Sequence, residues 1–282
     1  PATEPHSLVV CDYSGFELCM AIHWVSTLRD DSPMLQIMQK YGSPSAVHAF
    51  TAIRLYADAQ DGAGNVLGKI AMDDWRTVKK LFPSEYAIAK NNNFNLLYGG
   101  SAKMMARLRG LDHNDPDALA ECQEQIDSWN ALYSEIGEYQ QHMIRHGDEH
   151  GWVPTISGRH ANVRVLLEGR RPDGREAEDM HEARKWRSFG ERKCMNTPCQ
   201  GSAADIVKVA MNYIERDAEL RELGAALLFP VHDELVLECP QRHAPRVLAR
   251  TVELMQKPFR KQMKFQIDVE GHYGDNWQEA KS

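Results

Sequence analysis

The 282-residue sequence predicts a mixed α/β fold in which a small antiparallel sheet carries acidic residues and long helices carry basic ones. Three observations predict it. LVVCDYSGFEL, residues 8–18, begins as a β-rich apolar run whose strand ends on Asp12. LFPVHDELVLECP, residues 228–240, places apolar runs on either side of His232, Asp233 and Glu234 and stops at Pro240, the pattern of two short strands joined by a tight turn. Between them, apolar residues recur at helical spacings, as in Trp129, Leu132, Tyr133, Ile136, Tyr139 and Met143.

The remaining elements follow in order. After Asp12 the pattern changes near Gly15. ADAQDGAGNVLG, 57–68, holds three glycines and no periodicity and reads as a loop or surface insertion. SEYAIAKNNNFNLLYGG predicts a helix with Ser84 as N-cap and Gly99-Gly100 as its end. Residues 114–147 predict one long helix or a pair. GWVPTISGRHANV predicts short strands and turns, and TPCQGS a turn that starts a helix over 203–214, with the hairpin next. No internal repeat or low-complexity tract appears.

Composition narrows the function classes. An apolar fraction of 43% with 26% charged residues is that of a soluble globular protein. No run of 18 apolar residues exists and PATEPHSLVV lacks a signal-peptide layout, so no membrane contact and an intracellular setting, the cytoplasm of a bacterium or phage-infected host, are expected. The six cysteines form no CxxC pair, which predicts free, mostly buried thiols and neither a zinc site nor a disulfide framework. A net charge of -7 weighs against nucleic acid, but HEARKWRSFGERK, 181–193, concentrates Arg184, Lys185, Arg187, Arg192 and Lys193. On charge alone it reads equally as a solvated helix face.

Asp233 and Glu234 stand side by side in an apolar run, where like charges repel and lose hydration. A bound cation is the simplest compensation; the alternative is a solvated turn.

Three stretches in order, DYSGFEL (12–18), K-x7-YG (90–99) and VHDELVLE (231–238), together resemble the three polymerase motifs of family A, the bacterial DNA polymerase I family. QGSAADIVK (200–208) and the terminal G-D-N-W-x-x-A-K (274–281) are similar to further family segments, so the resemblance covers nearly the whole chain. It implies a right-hand palm with an antiparallel sheet, formed by 1–35 and 151–282, and helical fingers over 36–150 including an insertion at 57–82. It also implies template-directed addition of deoxynucleotides to a primer 3'-hydroxyl.

In-line nucleotidyl transfer places charge on the attacking and leaving oxygens, which two Mg²⁺ ions can serve together. The resemblance implies that Asp12 and Asp233 bridge the ions, that the Tyr13 backbone carbonyl adds a ligand, and that Glu234 is a supporting acid. Lys90, Phe94 and Tyr98, at i, i+4 and i+8, project along one helix face within a drift of about 80 degrees. By resemblance Lys90 meets the triphosphate, Phe94 the sugar and Tyr98 the template-base position, with His48 also on the nucleotide side. The resemblance also implies that Glu17 crowds the sugar 2' position and that Arg192, Asn196, Gln200, His232 and Arg159 contact primer-template DNA.

The chain departs from the family pattern at Tyr86, where the family has an arginine, and at Gly15 and Cys19; Lys79 or Lys80 is expected to replace the missing phosphate contact. No thumb or exonuclease segment is recognisable, so the chain is expected to be a piece of a cleaved or split polymerase, or to be completed by a second polypeptide that supplies them and docks near Pro1. Two other readings stay open: a single-subunit RNA polymerase, against which Glu17 argues, and a catalytically weakened DNA-binding subunit. A metal phosphohydrolase built on His232-Asp233 lacks further ligands at suitable spacing.

Overall fold

The computed structural model describes residues 5–281; the expected docking point near Pro1 lies outside them. The chain runs β1 (His6–Tyr13), α1 (Phe16–Leu28), α2 (Pro33–Tyr41), α3 (Pro44–Leu55), α4 (Trp75–Leu81), α5 (Pro83–Leu97), α6 (Ala102–Leu108), α7 (Pro116–Leu132) and α8 (Ser134–His150). It continues through β2 (Trp152–Pro154), β3 (His160–Asn162), α9 (Arg164–Leu167), α10 (Met180–Arg216), α11 (Ala218–Glu222), β4 (Ala226–Val231), β5 (Glu234–Pro240), α12 (Ala244–Met255) and β6 (Val269–Gly274). Two compact units divide it: residues 5–20 with 200–281, and residues 21–199.

The first unit is built on an antiparallel sheet of order β4-β5-β1-β6. Because successive side chains in a strand alternate faces, β1 sorts its own residues. Val9 and Cys11 lie opposite Leu237 and Leu235 on one face, all fully buried, and α12 covers them with Val247, Thr251 and Leu254. α12 comes so close at Gly271 that a Cβ there would stand 2.6 Å from Leu248 Cδ1 and 2.9 Å from Cys11 Sγ. On the other face Val10 and Val236 pack with Ala280 and Leu8. Leu8, Val10 and Asp12 share that face, so the strand that anchors the unit ends in a carboxylate.

The second unit is helical, with only the β2-β3 hairpin as sheet. Its core includes a buried polar network in which Trp129 Nε1 donates to Asn93 Oδ1 at 2.8 Å and Asn93 Nδ2 donates to Thr51 Oγ1 at 3.0 Å. The Thr51 and Tyr133 hydroxyls are 2.8 Å apart. Four side chains from three helices and a connecting residue thereby satisfy one another, which fixes the rotation of α5.

The segment 114–147, expected as one long helix or a pair, is a pair, α7 and α8, because Tyr133 leaves helical geometry at φ -131 and ψ 54. Two sequence expectations change. Ser84 does not cap α5, which begins one residue earlier at Pro83, where a missing N–H costs nothing. TPCQGS is not a turn: α10 runs through it with Pro198 inside. A proline there removes one backbone bond and crowds the preceding turn, and side chains serve the carbonyls around it. Trp24 Nε1 donates to Pro198 O at 2.9 Å and the Tyr139 hydroxyl to Met195 O at 2.8 Å.

The loop at 57–68 is present as expected. Asp61 Oδ1 accepts from the N–H groups of Ala63 (2.9 Å) and Asn65 (2.8 Å), and Leu67 anchors the loop in the core. All six cysteines are free and buried.

Gly147 of α8 packs where a Cβ would stand 2.7 Å from Cys194 Sγ and 3.0 Å from Leu167 Cδ1. Gly147→Ala gains about 1 kcal/mol of helix propensity but overpacks the core at a cost of about 1–3 kcal/mol. Net destabilisation is expected in urea titrations, and adding Cys194→Ala should recover part of it.

Candidate active site

Antiparallel register places Asp12 directly opposite Glu234 on β5 and, on its other side, opposite Glu270 on β6. Directly paired residues share a face with Cβ atoms about 4.5–5.5 Å apart, and like charges so placed repel. Asp12 therefore sits in a row of three acids. Burial first, then the charges of Asp233 and Glu234, push its carboxyl up to about 6; Lys281 pulls the other way.

Glu234 is the buried member of the row. Its oxygens are both engaged: Trp277 Nε1 donates to Oε1 at 3.1 Å, and Lys281 Nζ lies 2.8 Å from Oε2. Trp277 in turn meets the Phe229 ring at 5.7 Å. The terminal G-D-N-W-x-x-A-K thus clamps the acid of the hairpin. That leaves Asp12, Asp233 and the exposed Glu270 of β6 as the neighbouring carboxylates with no hydrogen bond or ion pair among the described residues.

His232 and Asp233 form the two-residue turn between β4 and β5. His232 has φ 57, the left-handed region where glycine usually stands at a hairpin's first turn position. Such strain in a non-glycine residue gathers at functional sites. A cavity of about 370 Å³ opens beside the turn, lined by Phe16, Glu17, Gln200, Val207, His232 and Asp233. Gln200 Nε2 donates to Glu17 Oε1 at 3.3 Å across it. Gly15, at φ 56, makes the turn from β1 into α1 and so points Glu17 into this cavity's lining. Cys19 is fully buried and faces the core. Tyr13 turns to the opposite face from Asp12, where its hydroxyl donates to Met255 O at 2.6 Å.

In the helical unit, Lys90 is exposed on α5 and no ion pair engages it among the described residues. Phe94 is half-buried, with its ring 5.6 Å from that of His48. His48 itself is 3% exposed. Burial, and then the charge of Lys90, hold its imidazole down at about 3, so it is neutral and Nδ1 faces Asn93 Nδ2 at 2.9 Å. Tyr86 is also buried, with its ring edge-on to His48 at 6.0 Å. Tyr98 is the half-buried C-cap of α5.

The basic stretch is the N-terminal part of α10. Arg187 is spent on structure, binding Leu167 O at 2.8 Å and Asp148 at 2.9 Å. Arg184, Lys185, Arg192 and Lys193 remain exposed. Asn196, one turn beyond Arg192, has a buried Oδ1 with no partner among the described residues. Arg159 is exposed in the β2-β3 turn.

Sequence reasoning did not find Glu270, nor the roles of Trp277 and Lys281. The alternation of exposed and buried residues in Asp268, Val269 and Glu270 marks a strand face, but only strand pairing sets Glu270 beside Asp12.

The carboxylate-bearing antiparallel sheet and the lysine-bearing helix belong to the polymerase class of fold. The whole chain superposes on 41% of the polymerase domain of Pol1 from M. smegmatis, solved with DNA primer-template and dNTP, at a TM-score of 0.75 and 22% identity. The sequence profile of DNA polymerase family A matches residues 1–279, and the chain belongs to that family. It is 32% identical over 280 residues to DNA polymerase I of Deinococcus radiodurans, covering 99% of this chain and 24% of that protein. It is 29% identical to the thermostable DNA polymerase I of Thermus thermophilus, covering 99% and 28% respectively. The chain thus spans about a quarter of the length of these relatives. No helix among the described residues is long and apolar enough to cross a membrane.

Replacing Lys281 with Met leaves the Glu234 carboxylate with Trp277 as its sole polar partner. A loss of about 1–2 kcal/mol is expected in chemical denaturation, with Lys281→Arg retaining most of the stability.

Proposed function

We propose that the chain performs template-directed addition of deoxynucleotides to a primer 3'-hydroxyl. The observation that carries this reading is the acid row at the end of β1: Asp12, with the adjacent Asp233 free and Glu234 clamped, in a family A chain. Burial first, and then the charges of Asp233 and Glu234, push the Asp12 carboxyl up to about 6, so its charged form gains from a cation placed beside it.

The donors suit a hard divalent cation, being carboxylate and carbonyl oxygens. Among the described residues no group of three or more His, Cys, Asp or Glu side chains converges as a metal cluster. That is compatible with Mg²⁺, which keeps several waters and binds through one or two carboxylates plus substrate phosphates. Asp12, Asp233 and the Tyr13 carbonyl would hold the two ions. Bound there, they would supply Lewis-acid stabilisation of the attacking and leaving oxygens.

The other residues position the reactants. Lys90 neutralises triphosphate charge as it shifts during transfer. Phe94 meets the sugar, with neutral His48 fixing the ring from beneath, and Tyr98 stands at the template-base position. Glu17, steadied by Gln200, crowds the 2' position and selects deoxynucleotides. Arg192, Asn196, Arg159 and His232 hold primer-template. Tyr86 is packed in the core, so α5 offers one cation to the triphosphate where the family pattern has two. This favours a weakened catalyst as the second reading, which Mg²⁺-dependent primer extension separates from the first.

Asp12→Asn and Asp233→Asn should each reduce extension more than a hundredfold, about 2.7 kcal/mol of barrier, with the thermal unfolding midpoint retained. A larger residual rate refutes the assignment. Glu17→Ala should admit ribonucleotides more readily in a sugar-discrimination assay; an unchanged preference favours the RNA-polymerase alternative.

Stability should also respond to pH. The folded carboxyl of Asp12 binds its proton more tightly than the unfolded one, so the stability it contributes is present at low pH. That contribution falls as pH rises from about 4 through 6. Mg²⁺ should restore it above pH 6 and have little effect below pH 5, read as melting temperature with and without the cation.

A further inference from the structure

Behind the sheet, on the side away from the Asp12 carboxylate, the segment between α12 and β6 reads QKPFRKQMKFQI, residues 256–267. It contains four cations and no acid, in a chain whose net charge is -7. Its inner side is pinned by Pro258, Met263, Phe265 and Ile267, all buried. The turn closes with Arg260 N–H donating to Lys257 O at 3.2 Å and Gln262 N–H to Phe259 O at 2.9 Å. Phe259 holds φ 52 inside that turn. That left-handed conformation is unfavourable for a residue with a Cβ, and the surrounding turn keeps its half-buried ring at a cavity wall.

The cavity has a volume of about 530 Å³ and two aromatic walls, Phe259 and Tyr213, the latter 41% exposed. Lys257, Arg260 and Lys261 supply its charge, and Gln256, Gln262 and Gln266 its neutral hydrogen-bonding groups. Its carboxylate, Glu253, is occupied, with Oε2 2.6 Å from Arg250 and Oε1 2.8 Å from Lys257. Arg260 spends one donor on Met263 O at 3.2 Å, and Lys261 has no ion pair among the described residues. Two cations therefore stand uncompensated beside exposed rings and amides.

Aromatic faces that stack bases sequence-tolerantly, next to cations that follow the backbone, are the chemistry of single-strand recognition. Amides add donors and acceptors for base edges, and the volume accommodates one nucleotide. We propose that this cavity binds a nucleoside phosphate, its base against the aromatic rings and its phosphate beside the cations, carried by a single strand of nucleic acid or by a free nucleotide. The site is separate from the acid row, and the proposal stands whether or not the catalytic reading holds.

The test uses the full 282-residue chain with two photoprobes, an octadeoxynucleotide containing 5-iododeoxyuridine and free 5-iododeoxyuridine triphosphate, with adducts mapped by mass spectrometry. The expected result is an adduct on Tyr213 or Phe259 that falls at least tenfold in the Arg260→Ala/Lys261→Ala variant. A melting curve matching the parent's establishes that this variant folds. Labelling by the oligonucleotide identifies a strand as the source, and labelling by the triphosphate alone identifies a free nucleotide. In the strand case, the salt slope of oligonucleotide binding at this site should also fall by about 1.4, two charges at about 0.7 each. Absence of adducts at these residues with both probes, or adducts undiminished in the variant, overturns the proposal.

Discussion

The first unit depends on the pairing of β1 with β5. Antiparallel register makes Val9 face Leu237 and Cys11 face Leu235, and the same register sets Asp12 against Glu234. The residues that drive the pairing are apolar and those at its end are acidic, so burial of the sheet is what concentrates negative charge at its edge. A one-residue slip would turn Asp12 toward α12 and Cys11 toward solvent. The core thus holds the acids in a juxtaposition that their own repulsion opposes.

The protein treats the three acids of that row differently. Glu234, the most buried, receives a lysine and an indole N–H. Asp12 keeps solvent access and an elevated proton affinity. Glu270 stays exposed at the edge strand. A fully compensated row would have little attraction left for a cation, and a fully uncompensated one would weaken the sheet. Clamping the buried acid alone leaves negative potential where solvent can reach it.

In the helical unit the comparable constraint is the hydrogen-bonded group around Asn93. By binding Trp129, Thr51 and His48 it fixes the inward face of α5, which leaves Lys90 on the surface and Phe94 against the His48 ring. A tyrosine at position 86 suits its place, since it lies on the packed side of the helix beside His48. Charge on α5 is confined to the face that the network leaves free.

The sequence by itself determined the class of fold, the hairpin and the presence of Asp12, Asp233 and Glu234 at strand ends. Alternation along β1 and β5, and the turn between apolar runs, are local signals that survive without knowledge of any partner. Lys90, Phe94 and Tyr98 were legible for the same reason, since helical spacing is a property of a single segment. Pro198 misled because local propensity opposes a helix there, while Trp24 and Tyr139, far away in the chain, satisfy the carbonyls around it. Glu270, Trp277 and Lys281 became part of the site only in the tertiary structure. Their relation to Asp12 and Glu234 is set by cross-strand register and by the return of the chain's last turn, contacts between residues more than 40 positions apart that no local pattern encodes.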